Sequence, residues 1–280
     1  MMVRIIKIEL FKIFKKWRTY IGFIAITFLV PLIQVAMMIE GERSLDFMTR
    51  NLQQSFIFVG NLLNGYLISY IILNTLAVHI PFLVALVAGD LLAGEATAGT
   101  YRLLLTRPVS RMELVTSKFL AGIIYTTLLV LWLSILSLGM GLIIFSVGEL
   151  IVIKPENIII FARDDVLWRF FLAYGFAILS MSVVASLAFF FSSLVENAIG
   201  PIITTMAVII VFLIISAIEI NVFQEIRPYL FTNYMLSWRL FFDDPVDLGE
   251  IIKSVSILFG HIVVFFGLAA IIFKRKDILS

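Results

Sequence analysis

Gly94 and Gly99 are separated by four residues, the spacing of the two glycines of a phosphate-binding loop. That loop continues with Lys and Ser or Thr and is preceded by a strand. Here Thr100 and Tyr101 follow, and the preceding stretch is not strand-like, so the motif supplies no nucleotide site. The two histidines, His79 and His261, lie in different apolar runs, and cysteine is absent. Disulfides, thiolate metal sites and cysteine nucleophiles are therefore excluded, and a protein-supplied metal centre is not expected. Neither G-x-S-x-G nor H-E-x-x-H occurs. A net charge of +2 gives no basic footprint for nucleic acid. The chain is expected to be no enzyme and to bind no cofactor of its own.

What remains is a polar island, Gly89 to Lys118, with four basic and three acidic side chains. No Asp, Glu, Lys or Arg occurs from Asn51 to Gly89, nor from Phe119 to Gly148. Inside the island Gly94 and Gly99 are points where a helix can end or turn. Thr100 to Thr106 is long enough for a short surface helix, and Pro108 stops it. Ser110 and Glu113 form the pattern of a capping box before the next apolar run.

The elements that must hold this island follow from composition. The 280 residues are 61% hydrophobic, 14% charged and have a mean hydropathy of +1.09. A soluble domain carries about a quarter charged residues, so an all-α polytopic membrane protein is expected, with residues 1–280 as one domain. Stretches of about 20 apolar residues place spans at 20–39, 66–88, 119–144, 170–191, 198–218 and 254–273. Two spans within the 39 uncharged residues ending at Gly89 would leave almost no loop, so one is expected there. Asn61, Asn64 and Gly65 suit its entry, and Pro81 can kink it. Residues 40–51 read as a short polar loop. In the loop at 149–169 the apolar stretch 157–161 suits contact with the membrane surface. The aromatic segment 219–250 reads as an interfacial belt.

Met1 to Arg18 is a basic amphipathic segment. Val3, Ile6, Leu10, Ile13, Phe14 and Trp17 share one helical face, with Arg4, Lys12, Lys15 and Arg18 largely opposite. An interfacial helix and a signal-anchor flank both fit, and both put the N-terminus in the cytoplasm. With both termini inside, the inner segments hold thirteen Lys and Arg against eight outside.

Glu95, Gly99, Thr100, the leucines after it, Arg107, Pro108, Ser110, Arg111 and Lys118 resemble the E…GT…LL…P-x-S-R…K pattern of ATP-binding-cassette (ABC) type-2 permeases. The match in residue type and order extends over about twenty positions. Ser192 to Asn197 is similar to that family's short connection between the fourth and fifth spans, and the tail from Lys274 to Ile278 to its common ending. The resemblance implies an elbow-like N-terminal helix and six spans. It also implies a cytoplasmic coupling helix between spans two and three, docked on a cytosolic ABC ATPase that carries ATP and Mg. Two permease copies, or a copy and a paralogue, would form one export pathway in the cell inner membrane. The expected spans contain no charged side chain, which argues against self-powered transport. Asn74, His79, Thr126, Thr127, Ser134 and Thr204 are candidate pathway-lining residues. For His79, a hydrogen-bonded place at a helix interface is the alternative. A non-transporting scaffold, receptor or assembly-factor subunit requires only the hydrophobicity and the basic flanks.

Overall fold

The computed structural model describes residues 2–50, 62–97, 99, 110–154 and 157–275. The expected surface helix at 100–106, together with Thr100, Arg107 and Pro108, lies outside them, as do Asn61 and residues 276–280.

Helix α1 (Met2–Lys15) is separated from α2 (Trp17–Thr49) by Lys16, whose backbone is extended. At 1.5 Å per residue the 33 residues of α2 reach about 50 Å. Pro31 lies inside α2 without ending it. The helix also continues through residues 40–49, where a loop was expected. Nothing there stops it. Glu40 and Arg43 pair across one turn at 3.1 Å, and the Thr49 hydroxyl donates back to Leu45 O. Gly41 lets Leu63 approach, since a Cβ there would lie 2.7 Å from Leu63 Cδ1.

The second expected span is a bent pair, α3 (Gly65–Leu76) and α4 (Ile80–Ala88), at 53° to each other. Asn64 caps α3 by accepting from the amides of Tyr66 and Leu67. Pro81 sits in the first turn of α4. Its ring lacks an N–H and crowds the carbonyl four residues earlier, which is Ala77, and that is where the helix breaks.

After α5 (Asp90–Thr97) comes α6 (Arg111–Ser134), then a π-helical turn (Ile135–Met140) and α7 (Gly141–Phe145) in one run of 35 residues. The capping box forms as expected, with Ser110 Oγ accepting from Glu113 N and Ser110 N donating to Glu113 Oε2. The π turn falls at Gly139 and next to Gly141. Such a turn widens the backbone ladder and leaves carbonyls for other partners. Gln34 Nε2 donates to Leu136 O at 3.0 Å and Ser69 Oγ to Ser137 O at 2.9 Å, while Ser137 Oγ bonds the Tyr174 hydroxyl. Four helices meet at this point, and Gln34 lies in the interface between them.

Strands β1 (Leu150–Ile153) and β2 (Ile158–Phe161) pair antiparallel, with Leu150 opposite Phe161. The apolar stretch 157–161 is thus largely the second strand of a hairpin, with Ile160 on its exposed side. Pairing satisfies the backbone, and the period of two turns Leu150, Val152 and Phe161 inward. Helix α8 (Leu167–Leu194) is the central pillar, 72% buried over its most apolar window. Its small residues Ala173, Ala177, Ser182 and Ser186 permit that close packing.

Then follow α9 (Ile199–Ala217), α10 (Asn221–Ile226), α11 (Phe231–Tyr234) and α12 (Leu248–Arg275), with 3-10 turns at Arg227–Tyr229 and Ser237–Phe242. The belt reading of 219–250 is corrected. Tyr229 is exposed, but Phe231, Tyr234, Trp238 and Phe242 are buried. Phe231 packs edge-on to Phe212 and His261, and Met235 O accepts from Ser180 Oγ in mid-α8. Burying these rings against the bundle removes more apolar area from water than an interfacial position would, so the segment dips inward as a cap.

Arg169 fastens the cap. It is 5% exposed and donates to Asp165 Oδ2 (2.7 Å), Phe241 O (2.7 Å) and Asp243 O (2.9 Å), with Phe161 4.2 Å away as a cation–π partner. Arg169→Ala is expected to lose about 1.5–3 kcal/mol, the range for hydrogen bonds to a charged group. Thermal unfolding in detergent should show the loss, and limited proteolysis should cut first within 219–250.

Among the described residues, five helices are long and apolar enough to cross a membrane, or six if the bent pair counts as one. The chain is thus a multi-pass α-helical membrane protein. The bent pair reaches from one end of the bundle to the other. At one end Gly65 N donates to Ser146 O, and at the other Gly89 O accepts from Ser192 Oγ.

Candidate functional site

The end of the bundle that carries α1 holds the densest set of buried charges. Glu9 and Lys12 lie one turn apart on α1. Glu95 lies near the end of α5, and Lys118 two turns into α6. Lys118 Nζ is 2.7 Å from Glu9 Oε2 and 2.6 Å from Glu95 Oε1. Lys12 Nζ is 2.8 Å from Glu9 Oε1 and 2.9 Å from Glu95 Oε1. The four side chains therefore form a closed ring of alternating charge. Lys118 is 1% exposed, Glu9 3% and Glu95 8%. Burial works against the Glu95 carboxylate, but Lys118 and Lys12 together hold its pKa below the ordinary value. Burial likewise works against the Lys12 cation, and Glu9 and Glu95 raise its pKa nonetheless.

A second pair of contacts lies beside the ring. Asp90, in the first turn of α5, accepts from Lys16 at 2.7 Å and lies 3.4 Å from Arg18. Its negative charge also suits the helix N-terminus. Gly94 makes room for it, since a Cβ there would fall 2.3 Å from Asp90 Oδ1. Gly94 is thus inside α5 and not at a turn. Gly99, with φ +65, takes the left-handed backbone that glycine favours. Ser192 completes the assembly. Its hydroxyl accepts from the amides of Leu92 and Ala93 and donates to Gly89 O. Thr97 Oγ1 donates to Glu196 O at 2.6 Å. So α5 is fixed to α1 by ion pairs, to α6 by Lys118, and to the end of α8 by serine and threonine.

This arrangement ties α1, α5 and α6 to one another. Every carboxylate of the ring is neutralised by a cation in contact. Among the described residues there is no cluster of three or more His, Cys, Asp or Glu that could hold a metal ion.

The residues singled out by sequence separate into groups. Glu95 and Lys118 are brought together, but inside the protein, so neither presents a docking surface. Gly99 and Ser110 are exposed and Arg111 is half-buried. Arg111 Nη1 donates to Lys274 O, tying the start of α6 to the end of α12. The reading that the spans lack charge also changes. The helices run longer than the expected spans, and their ends carry Lys118 and Arg169 into the interior, each matched by acceptors.

Of the pathway candidates, Asn74 and His79 stand with exposed Thr75, Val78 and Phe82 on one outward row of α3 and α4, and Thr204 is exposed on α9. His79, in the break between α3 and α4, has Nδ1 3.0 Å from Thr75 O, a local bond back onto α3 and not across an interface. Thr126 is fully buried and bonds its own helix at Gly122 O, so it lines nothing open. Thr127 and Ser134 are half-buried beside the outward row Ile124, Leu128, Leu131 and Ile135 of α6. They do not join the Asn74 row.

Sequence reasoning missed Glu9, Lys12 as an ion-ring member, Asp90 and Ser192. One signal was available: Glu9 is the sole acid in the basic segment 1–18. The expected apolar face of α1 is only partly the packed one. Ile13 is buried and Leu10 and Phe14 pack inward, but Val3 and Trp17 are 67% and 74% exposed. The polar pairing of Glu9 sets the helix rotation.

The chain is similar to the uncharacterized protein YhcI of Bacillus subtilis (strain 168), at 26% identity over 208 residues. The similar region covers 70% of this chain and 63% of YhcI. A family model matches residues 22–279, from early in α2 to the C-terminal tail, and the chain belongs to that family, described as a protein of unknown function, DUF2705.

Proposed function

We propose that this chain is the membrane-spanning permease subunit of an ABC exporter, working as a dimer and driven by separate cytosolic ATPase subunits that carry ATP and Mg. One observation supports this above all. The segment that resembles the coupling element of type-2 permeases begins and ends on α5 and α6, and these two helices are clamped to each other through Glu95 and Lys118 at 2.6 Å. A force applied between residues 98 and 110 is therefore passed directly to α1, α6 and, through Ser192, to α8. A loose loop could not transmit such a push.

In this reading the charged end is cytoplasmic, both termini are inside, and the membrane is the cell inner membrane. The excess of Lys and Arg on those segments supports that orientation. Helix α1 serves as the interfacial elbow helix, the bent pair is one broken span, and 219–242 caps the outer end. Gly99, Ser110 and Arg111 meet the ATPase, whereas Glu95 and Lys118 stiffen what lies behind.

The test is purification from native membranes in mild detergent, with mass spectrometry of co-purified chains and an ATPase assay. A stoichiometric cytosolic ATPase is expected with the wild-type chain. Arg111→Ala should weaken its retention and uncouple hydrolysis from export while the chain still inserts. A stable complex without an ATPase would replace this proposal with that of a membrane scaffold.

A further inference from the structure

Residues 2–18 carry six basic side chains, and the fold sorts them into two sets. Lys12 belongs to the ion ring, and Lys16 and Arg18 hold Asp90. Arg4, Lys7 and Lys15 are exposed and in no ion pair among the described residues. The sorting follows the helix. At 3.6 residues per turn, positions 4, 7, 8, 11 and 15 fall within about 100° of one another. Glu9 and Ile13, the buried residues of α1, lie on the opposite side. Lys118 holds Glu9 at 2.7 Å, and this contact keeps the stripe turned outward.

The stripe is not a plain solvated face, which would carry both signs of charge. It holds no acid, because Glu9 is the one acid of residues 2–18 and is buried. It does hold Ile8 and Phe11, 40% and 70% exposed, between the cations. Basic side chains around exposed apolar ones are the composition of a helix that lies against a membrane. The apolar groups enter the headgroup layer, and long Lys and Arg stems pass them to reach its phosphates. The stripe is also in the right place. Lys15 is two residues from Trp17, where the first membrane-crossing helix begins. Trp17 and Tyr20 are 74% and 41% exposed, and such rings gather at the membrane surface. From Lys15 to Arg4 the helix rises only about 17 Å. Lipid is present at this level whatever else the chain binds, which favours lipid over a protein as the occupant.

We infer that the outward stripe of α1 is a binding site for anionic phospholipid, with Arg4, Lys7 and Lys15 on the phosphates and Ile8 and Phe11 among the groups beneath them. A headgroup without net charge would leave three cations uncompensated. The site rests on the placement of α1 at the membrane surface and not on the exporter reading.

The chain has no cysteine, so Phe11→Cys or Ile8→Cys creates a single attachment point for a fluorophore. The labelled full chain, without ATPase, is placed in nanodiscs of phosphatidylcholine and phosphatidylglycerol in equal amounts. A nitroxide quencher is carried on the acyl chain of one lipid or the other. Each cation at an anionic surface favours it about 5-fold. The phosphatidylglycerol quencher should therefore act at a mole fraction at least about 5-fold lower than the phosphatidylcholine quencher. Arg4→Gln, Lys7→Gln and Lys15→Gln together should bring that ratio to about one while both lipids still quench. Salt at roughly 1 M, where screening shortens to about 3 Å, should do the same in the wild type. Arg43→Gln, an exposed cation at the far end of α2, should leave the ratio unchanged. If the melting curve shows that the triple variant does not fold, Lys7→Gln alone should give a partial fall. Equal quenching by the two lipids in the wild type would leave α1 at the membrane and overturn the anionic-lipid site. Quenching by neither would overturn the membrane placement as well. A ratio unchanged in the triple variant would assign the preference to other residues and overturn the proposal too. Failure of the exporter reading alters none of these results, because no ATPase takes part.

Discussion

Lys118→Ala is expected to destabilise the protein by about 3–5 kcal/mol, the cost of removing one partner from a buried ionic group. The substitution leaves Glu9 and Glu95 facing each other in the interior with Lys12 as their shared cation in the ring. Like charges at this separation and burial cannot all be solvated by one partly exposed amine. The first visible effect should be release of α1, detected as rapid proteolysis between residues 2 and 18, followed by a lower melting temperature in detergent. Replacing the whole ring is expected to be much milder than breaking it. Glu9→Gln, Lys12→Met, Glu95→Gln and Lys118→Met together should restore most of the lost stability, since apolar and neutral groups of similar volume often substitute for buried ions without loss. A quadruple variant as unstable as the single one would show that the charges are needed for more than mutual neutralisation.

The ring also sets a pH window. Glu95 has a folded pKa below its ordinary 4.5, so its contribution is complete above 4.5 and is lost as pH falls through the lowered folded value. Lys12 has a folded pKa above its ordinary 10.5, so its contribution is complete below 10.5 and is lost as pH rises through the raised value. Proteolysis of α1 should therefore be slow and constant from about 4.5 to 10.5 and should accelerate on the acid side only below that range. Acceleration near pH 6 would point to a group other than the ring.

Gly65→Ala is the second large effect expected, from steric strain and not from charge. At the far end of the bundle α3 crosses α7 so closely that a Cβ on Gly65 would lie 2.5 Å from Gly141 O and 2.7 Å from Leu142 Cα. Both are backbone atoms, so no side chain can swing away. Overpacking of this kind costs about 1–3 kcal/mol, and more where backbone must move. The shift would also disturb the π turn, because Ser69, one turn along α3, holds Ser137 O and its hydroxyl would lie 3.0 Å from a Cβ on Gly141. The check is a melting curve set against Gly175→Ala, where a Cβ meets nothing within 4 Å and little change is expected. Equal melting temperatures for the two variants would mean that the crossing relaxes easily.

The sequence by itself determined the class. Runs of twenty or more uncharged residues have no other economical solution than helices in a membrane, because backbone groups in hydrocarbon must bond within their own segment. It determined local features with local causes: the capping box at Ser110, the break four residues before Pro81, the cap at Asn64 and the stop in the left-handed conformation at Gly99. It also identified the polar island as the place where charge gathers.

Only the tertiary structure decided what those charges do. Glu95 and Lys118 are 23 positions apart and Glu9 is 109 from Lys118, and no local rule joins them. Their partners are chosen by which helices pack together, and packing turned two supposed surface contacts into a buried ring. The same holds for the aromatic segment before α12. Hydropathy registers Trp238 and Phe242 as apolar and cannot tell a lipid interface from a protein interior. Whether such rings face lipid or core depends on what packs over them, and Trp238 and Phe242 both lie edge-on to Tyr70 of α3, more than 150 residues earlier in the chain.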